Sequence, residues 1–233
     1  TEGPVLLLAV PGSGKTTVLV TRLGYMLYCK GIPPERILTV TYTVAATKDM
    51  KSRFTSIFGE DHAGKLTFRT INGLCAVVIG YYARQKNTEA FALLDDERQI
   101  KSVIRDLLAR TGTAFPSDQQ VSDARTHITY CKNMMLTEAE IHAHKVDGMD
   151  FPRVYFEYQD YLRRSRRMDY DDQMVFACRI FRQYPDILAH FQRRWPHVCV
   201  DEAQDTSKIQ HAILRLLASG SGNIFMVGDE DQS

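Results

Sequence analysis

The sequence predicts an α/β fold in which strands of a parallel sheet alternate with helices and a purely helical segment is inserted. Short apolar runs rich in β-branched residues alternate with helical patterns near both ends of the chain. Between about residue 83 and residue 167 the strand-like runs stop. We therefore predict an α/β domain formed by residues 1–82 and 168–233, with a helical insertion formed by residues 83–167. The predicted strands are the run that begins at residue 5 and residues 36–41, 65–69, 197–200 and 224–227.

The composition is that of an ordinary globular protein and excludes several classes. The 233 residues are 44% hydrophobic and 24% charged, and 29 Lys and Arg against 28 Asp and Glu give a net charge of +1. A polyanion such as DNA would therefore need a local groove, because the chain as a whole does not attract it. Five scattered cysteines without a C-x-x-C pair indicate reduced thiols and a cytoplasmic protein. No apolar run approaches the ~20 residues that span a membrane.

The first predicted strand leads into a glycine-rich turn and a helix start, with the sequence VLLLAVPGSGKTT. Gly12 and Gly14 lack a Cβ atom, so several backbone N–H groups can converge on one anion. Lys15 adds a charge for the β- and γ-phosphates of a nucleotide, and Thr16 offers a hydroxyl to Mg²⁺. The usual pattern has glycine where this chain has Ala9, so a glycine turn that only caps an ordinary helix remains an alternative at this point.

Polar residues follow two later strands. Asp201 and Glu202 come directly after residues 197–200 and point in different directions, so they can take different roles. Asp201 can hold the waters of a magnesium ion, and Glu202 can accept a proton from an attacking water. A capped helix start is the alternative. Gln232 follows the last strand and could sense a terminal phosphate.

A second group of candidates follows the strand at residues 36–41. Tyr42 lies at a strand end, where open α/β sheets bind ligands, and could stack on a base. The helix that comes next carries Lys48, Lys51 and Arg53. The alternative, with equal support from this segment alone, is a half-buried tyrosine beside a solvated helix face.

Charged residues at the end of the predicted insertion have two interpretations each. Four arginines in RRSRR could clamp phosphates or form a solvated helix end. Asp169, Asp171 and Asp172 could bind a metal, but we favour a role as caps of the next helix. His142 and His144 stand two residues apart and point to different helix faces, which argues against a metal site.

Taken together, these stretches resemble the superfamily 1 DNA helicases of the UvrD/Rep kind. That family normally has alanine at the position of Ala9, which removes the departure noted above. The resemblance covers nearly the whole chain in order. The matching segments are AVPGSGKTTVLVTR for motif I, TVTYTVAATKDMKSRF for motif Ia, TFRTINGLC for motif Ib, ALLDDERQ for the start of the 1B subdomain, MDYDDQM for the D-[FY]-x-D-L segment, VDEAQDTSKIQ for motif II and VGDEDQS for the start of motif III.

The resemblance implies a RecA-like P-loop NTPase domain, called 1A, with a helical 1B insertion. It implies an ATP-dependent DNA helicase or translocase that moves 3′ to 5′, uses ATP and Mg²⁺ and acts on single-stranded or duplex-junction DNA. It implies that ATP contacts Pro11, Gly12, Ser13, Gly14, Lys15, Thr16 and Thr17, and that magnesium is held by Thr16 and Asp201. It implies catalytic roles for Lys15, Asp201, Glu202, Gln204 and Gln232. It also implies that DNA lies along Thr41, Tyr42, Thr70 and Asn72.

The chain also departs from the family pattern. Val44 and Ala45 stand where motif Ia usually has an Asn-Lys pair, and Asn72 replaces the usual histidine. The adenine-reading glutamine and motifs IV to VI, with their arginine fingers, have no match, and both ends fall next to predicted strands, so we expect a fragment of a longer protein. An alternative is a nucleotide-gated DNA-binding module of a repair or restriction complex that does not unwind DNA. A small-molecule kinase would need a phosphoacceptor lid, and the D-E-x-Q-D run favours a coupled NTPase instead.

Overall fold

The computed structural model describes residues 3–10 and 13–229, which divide into two compact units. The first, here called the sheet unit, comprises the described parts of residues 1–78, 177–206 and 210–233. The second, the helical unit, comprises residues 79–176 and 207–209. The strands are β1 Val5–Ala9, β2 Ile37–Thr41, β3 Thr67–Thr70, β4 Ala92–Leu93, β5 Arg167–Met168, β6 His197–Val200 and β7 Ile224–Asp229. The helices are α1 Lys15–Gly24, α2 Val44–Phe58, α3 Glu60–Ala63, α4 Ile71–Gln85, α5 Glu97–Arg110, α6 Asp118–Asn133, α7 Glu138–Ala143, α8 Phe151–Arg164, α9 Tyr170–Gln183, α10 Pro185–Arg194 and α11 Lys208–Ala218.

The sheet unit is built on a parallel sheet. Within the described residues the strand order is β1-β7-β6-β2-β3, and every neighbouring pair is parallel. All five residues of β2 are buried, which accounts for its apolar sequence without strict alternation. The predicted α/β class is therefore confirmed.

The sheet is covered on one face by α1 and α2. Leu19 and Leu23 of α1 and Phe54 of α2 are fully buried and belong to the same core cluster as Phe225 and Val227 of β7. Thr43 caps α2 by accepting a hydrogen bond from the N–H of Ala46 at 3.0 Å. This packing fixes the helices relative to the strand ends that carry the candidate site.

Two details of the strand prediction were wrong. The prediction ended the last strand at residue 227, but β7 continues to Asp229, because Asp229 still pairs with Ala9 in the parallel ladder. The segment predicted as purely helical also contains strand structure. Backbone hydrogen bonds from Ala92 to Arg166 (3.0 Å) and from Leu94 to Met168 (2.8 Å) form the short parallel pair β4 and β5.

The helical unit has its own apolar core. Ile104 of α5, Ile128 of α6 and Tyr158 of α8 are fully buried in one cluster. The predicted capping box at Thr137 and Glu140 is confirmed. The Thr137 hydroxyl accepts from the Glu140 N–H at 3.3 Å, and the Glu140 carboxylate accepts from the Thr137 N–H at 2.7 Å. Such reciprocal bonds satisfy N–H groups that a helix start leaves free.

The acidic trio after α8 is structural. Asp169 caps α9 by accepting from the N–H of Asp172 at 2.8 Å, as the cap interpretation predicted. The buried ammonium of Lys132 lies 2.9 Å from Asp169 and 2.7 Å from Asp172. Burial raises the pKa of Asp172 to about 6. Burial acts the same way on Asp169, but Lys132, the N–H of Asp172 and the charge of Arg125 together lower that pKa.

The third acid, Asp171, is neutralised from α6. Its carboxylate accepts from Arg125 at 3.1 Å, from Thr129 at 2.8 Å and from Asn133 at 2.8 Å. Among residues 3–10 and 13–229 no group of three or more His, Cys, Asp or Glu could hold a metal ion. In the same part of the chain, no helix is both long and apolar enough to cross a bilayer.

We expect Lys132→Met to destabilise the protein strongly, because it leaves two buried carboxylates without their cation. Removing one partner of a buried pair costs about 3–5 kcal/mol. The free energy of unfolding from urea denaturation measures this cost. Lys101→Met, the same change at an exposed position of α5, should leave stability nearly unchanged. Equal stability of the two variants would contradict a structural role for this network.

Candidate active site

The candidate site lies where the parallel strands β1, β7 and β6 reach their carboxyl ends. The turn before α1 includes a bond from the Ser13 N–H to the Val10 carbonyl at 3.2 Å, and Gly14 has a φ of 86°. This left-handed conformation favours glycine and lets α1 begin at Lys15, with its positive end toward the cleft. The cleft has a volume of about 410 Å³. Its lining residues are Gly14, Lys15, Thr16, Thr17, Arg53, Glu202 and Asp229.

Lys15 forms an ion pair at the bottom of this cleft. Its ammonium contacts the carboxylate of Asp229, and the two side chains are only 9% and 7% exposed. Glu202, far away in the sequence, lines the same cleft. The structure therefore brings together the lysine of the loop and the predicted base after β6.

Asp201 is held in place by the sheet. Its N–H donates to the Val40 carbonyl at 3.1 Å, and its carboxylate accepts from the Glu202 N–H at 3.1 Å. Burial, and then the charge of Glu202, raise the pKa of Asp201, while the more distant charge of Lys15 lowers it. A buried carboxylate whose charge is disfavoured gains most from a nearby cation.

Thr16 lines the cleft and Asp201 directly follows β6, and both carry oxygen donors of the kind that suits a magnesium ion. Asp201 offers a carboxylate and Thr16 a hydroxyl, and Mg²⁺ prefers oxygen ligands. It is usually bound by one or two carboxylates together with waters and substrate phosphates, so a larger cluster of acids is not required.

Glu202 adopts an unusual backbone conformation. Its φ of 50° and ψ of 49° lie in the left-handed region, which is uncommon for residues other than glycine. Such strain persists only where the surroundings impose it, and it concentrates at functional sites. Here the Glu202 carboxylate accepts from the Gln204 side-chain amide at 2.8 Å. Gln204 in turn accepts from the N–H of Asp229 at 2.9 Å and so ties Glu202 to the end of β7.

Gly228 permits this close approach of β7 to the turn after β6. A Cβ atom at this position would lie 3.1 Å from Oε1 and 3.3 Å from the backbone N of Gln204. The second atom belongs to the backbone, so it cannot rotate away. An added Cβ would therefore force Gln204 to shift by a few tenths of an ångström, and the constraint on Gly228 is one of space, since its φ is not positive.

The predicted DNA contacts lie at the ends of two neighbouring strands. Thr41 of β2 is the register partner of Thr70 of β3. Thr70 accepts from the Gly73 N–H at 3.1 Å, and Asn72 follows in α4 with a buried Oδ1 atom that has no hydrogen-bond partner in the described structure. Tyr42 is half-buried and donates its hydroxyl to Thr206. Burial raises the pKa of Tyr42 to about 12, so the hydroxyl stays protonated.

Thr41 itself points into the protein. Its side chain is 1% exposed, and its hydroxyl lies 2.6 Å from that of Thr47. Its side chain therefore braces the start of α2. Three other predicted site residues, Pro11, Gly12 and Gln232, lie outside the described residues.

Sequence reasoning missed two residues of the cleft. Asp229 was read as part of a turn after the last strand, and only the strand register places it opposite Ala9 and beside the loop. Arg53 was read as one cation of a basic helix face. It lines the cleft while its Nε bonds to Asp49 at 2.7 Å.

Comparison with known proteins identifies the family. The family model described as the UvrD/REP helicase N-terminal domain matches residues 1–233. The chain belongs to this family. It is 33% identical over 238 aligned residues to the ATP-dependent DNA helicase PcrA of Staphylococcus aureus and 34% identical to that of Staphylococcus epidermidis. Each alignment covers the whole chain but 32% of the relative, so the chain spans about a third of the length of these curated relatives.

Membership in the UvrD/REP family confirms the resemblance read from motifs I, Ia, Ib and II. The five-stranded parallel sheet is consistent with the RecA-like helicase domain that the resemblance implied. The departures at Val44, Ala45 and Asn72 lie within a chain that the family model matches from end to end.

We expect Gly228→Ala to lower the free energy of unfolding by about 1–3 kcal/mol, the usual cost of overpacking. In an open strand position alanine would instead stabilise, because it restricts the unfolded chain. Urea denaturation measures whether the free energy of unfolding falls or rises. Gly64→Ala, where an added Cβ meets nothing within 4 Å and the backbone is right-handed helical, is the control and should stabilise by about 0.4–1 kcal/mol. A stabilised Gly228→Ala variant would contradict the close approach of β7 to Gln204.

Proposed function

We propose that this chain is the ATP-binding and DNA-contacting part of an ATP-dependent DNA helicase or translocase that moves 3′ to 5′. The observation that carries the proposal is the convergence of Lys15 and Glu202 on one cleft at the carboxyl ends of a parallel sheet. The names of the relatives agree with it, since they are ATP-dependent DNA helicases. The chain covers about a third of those relatives, so the activity of the whole protein belongs to the proposal.

The residues of the cleft have separate tasks in this proposal. Lys15 and the N–H groups at the start of α1 bind the β- and γ-phosphates. Thr16 and Asp201 hold Mg²⁺, which when bound neutralises phosphate charge. Glu202 accepts a proton from the water that attacks the γ-phosphorus, as a positioned carboxylate can. The remaining proposed contacts to ATP are Pro11, Gly12, Ser13, Gly14 and Thr17, and Gln204 and Gln232 sense the γ-phosphate.

Single-stranded or duplex-junction DNA would follow the ends of β2 and β3. Tyr42, Thr70 and Asn72 offer a ring, a hydroxyl and an amide where β2 ends and where β3 passes into α4. Thr41 supports this edge from inside, through Thr47. The same sheet carries both sets of residues, so a shift of one strand end on nucleotide binding can reach the other.

We expect Lys15→Ala to weaken nucleotide binding by at least tenfold, because a hydrogen-bonded charge contributes about 1.5–3 kcal/mol. Titration of a fluorescent ATP analogue measures the affinity, with Lys65→Ala at an exposed position of the sheet unit as control.

The 233-residue segment alone should hydrolyse ATP negligibly, since arginine fingers, absent from its motifs, contribute about 10³–10⁵ in rate. Vigorous turnover that Glu202→Gln abolishes would show that this segment needs no further part.

DNA binding should depend on salt. If about four phosphates of a single strand are neutralised, log K falls with log salt at a slope near −3. Tyr42→Ala should cost about 1–3 kcal/mol of DNA binding through lost stacking, whereas Tyr42→Phe keeps the ring and should bind nearly as wild type. Fluorescence anisotropy with a labelled oligonucleotide measures both. A DNA affinity that does not change with salt concentration would contradict the proposed DNA path. Equal losses of affinity in Tyr42→Ala and Tyr42→Phe would contradict it as well.

A nucleotide-gated DNA-binding module that does not unwind would use the same residues. Strand separation by the full-length parent protein distinguishes the two functions. The names of the relatives, which are ATP-dependent DNA helicases, favour the helicase.

A further inference from the structure

The lysine of the phosphate-binding loop already has an anionic partner in this structure. Asp229 stands opposite Ala9, the last residue of β1, so the parallel ladder places its carboxylate beside the loop that follows β1. Both charged side chains are less than a tenth exposed. Water screens such a pair poorly, so the attraction between the two charges is strong.

Asp229 is also held in a defined position. Its N–H donates to the side-chain oxygen of Gln204 at 2.9 Å, and the amide of Gln204 donates to Glu202 at 2.8 Å. Gly228, the residue before it, lets the backbone approach Gln204. Asp229 is thus linked at one end to Lys15 and, through Gln204, to the proposed base.

We propose that Asp229 is a positioning residue that holds Lys15 while no nucleotide is bound, and that the phosphates of the nucleotide must displace it. The inference rests on the proposed function, because it requires that the cleft binds a nucleotide. A carboxylate and a phosphate then compete for one ammonium group. The apparent affinity is then the intrinsic affinity multiplied by the fraction of molecules in which Lys15 is released.

Displacement has a structural consequence at the other end of the link. When the phosphates take Lys15, the Asp229 carboxylate loses its only ion-pair partner in the described structure. Because the backbone of Asp229 is bonded to Gln204, a movement of this strand end changes the position of the Glu202 side chain. Nucleotide binding would in this way change the positions of Glu202 and of the end of β7.

The test compares Asp229→Asn with the wild type in ADP binding measured in EDTA, where neither hydrolysis nor Mg²⁺ contributes. Asparagine keeps the shape and removes the charge. We expect Asp229→Asn to bind ADP about 3- to 10-fold more tightly, because Lys15 is no longer occupied. Asp61→Asn, the same change at an exposed position of α3, should bind as wild type. Unchanged or weaker binding by Asp229→Asn would overturn the inference.

A second pair of variants separates release of Lys15 from simple repulsion between Asp229 and the phosphates. In the Lys15→Met background, Asp229→Asn should no longer tighten ADP binding. If the gain persists there, Asp229 does not act through Lys15 and the inference is wrong. Thermal unfolding gives a readout that does not depend on nucleotide. Each single variant should lower Tm, and the double variant should lower it by less than the two shifts together.

These outcomes distinguish the inference from the function on which it rests. If the wild type binds ADP and Lys15→Met weakens binding, but Asp229→Asn has no effect, only the inference fails. If the wild type binds no nucleotide at any concentration tested, the proposed function fails and the inference with it.

Discussion

The parallel register of β1, β7 and β6 is the constraint on which the rest of the sheet unit depends. Ala9 pairs with Asp229, and Val200 pairs with Met226, so the three strands end at the same edge. The loop after β1, Glu202 after β6 and Asp229 at the end of β7 therefore share one cleft. Since alternate residues face opposite sides, a slip of one position would turn buried residues of β7 toward the wrong layer. Core packing thus protects the site geometry.

The same chemistry serves two purposes in the two units, and its surroundings decide which. In the helical unit the carboxylates of Asp169 and Asp172 contact Lys132 directly, and their charges are satisfied within the protein. Burial raises the pKa of Asp201 in the sheet unit as it does that of Asp172, but the Asp201 carboxylate has no cation in direct contact among the described residues. A carboxylate in the second situation gains from an external cation. This difference separates a structural acid from a candidate metal ligand.

The turn after β6 carries strain that its neighbours hold in place. Glu202 has a positive φ, and its side chain accepts a hydrogen bond from Gln204, which is itself bonded to the end of β7. A left-handed residue costs about 1–3 kcal/mol, which the surrounding packing must offset. The arrangement directs the carboxylate into the cleft, whereas a relaxed strand end or helix start would not. The strain is therefore consistent with a functional position. Gly228, which lacks a Cβ atom, leaves room for Gln204 beside β7.

The sequence by itself determined the existence of the five strands of the parallel sheet, the glycine turn before Lys15, the acids that follow β6 and the family, because apolar patterns and turn residues encode burial and backbone conformation locally. The tertiary structure decided which strand ends become neighbours. No local pattern shows that β1 lies beside β7, the last strand described, so the pairing of Lys15 with Asp229 was not predictable. The same holds for Arg53 in the cleft, for the inward side chain of Thr41 and for the β4 and β5 pair. Each depends on contacts between segments distant in the chain, and long-range register alone specifies these.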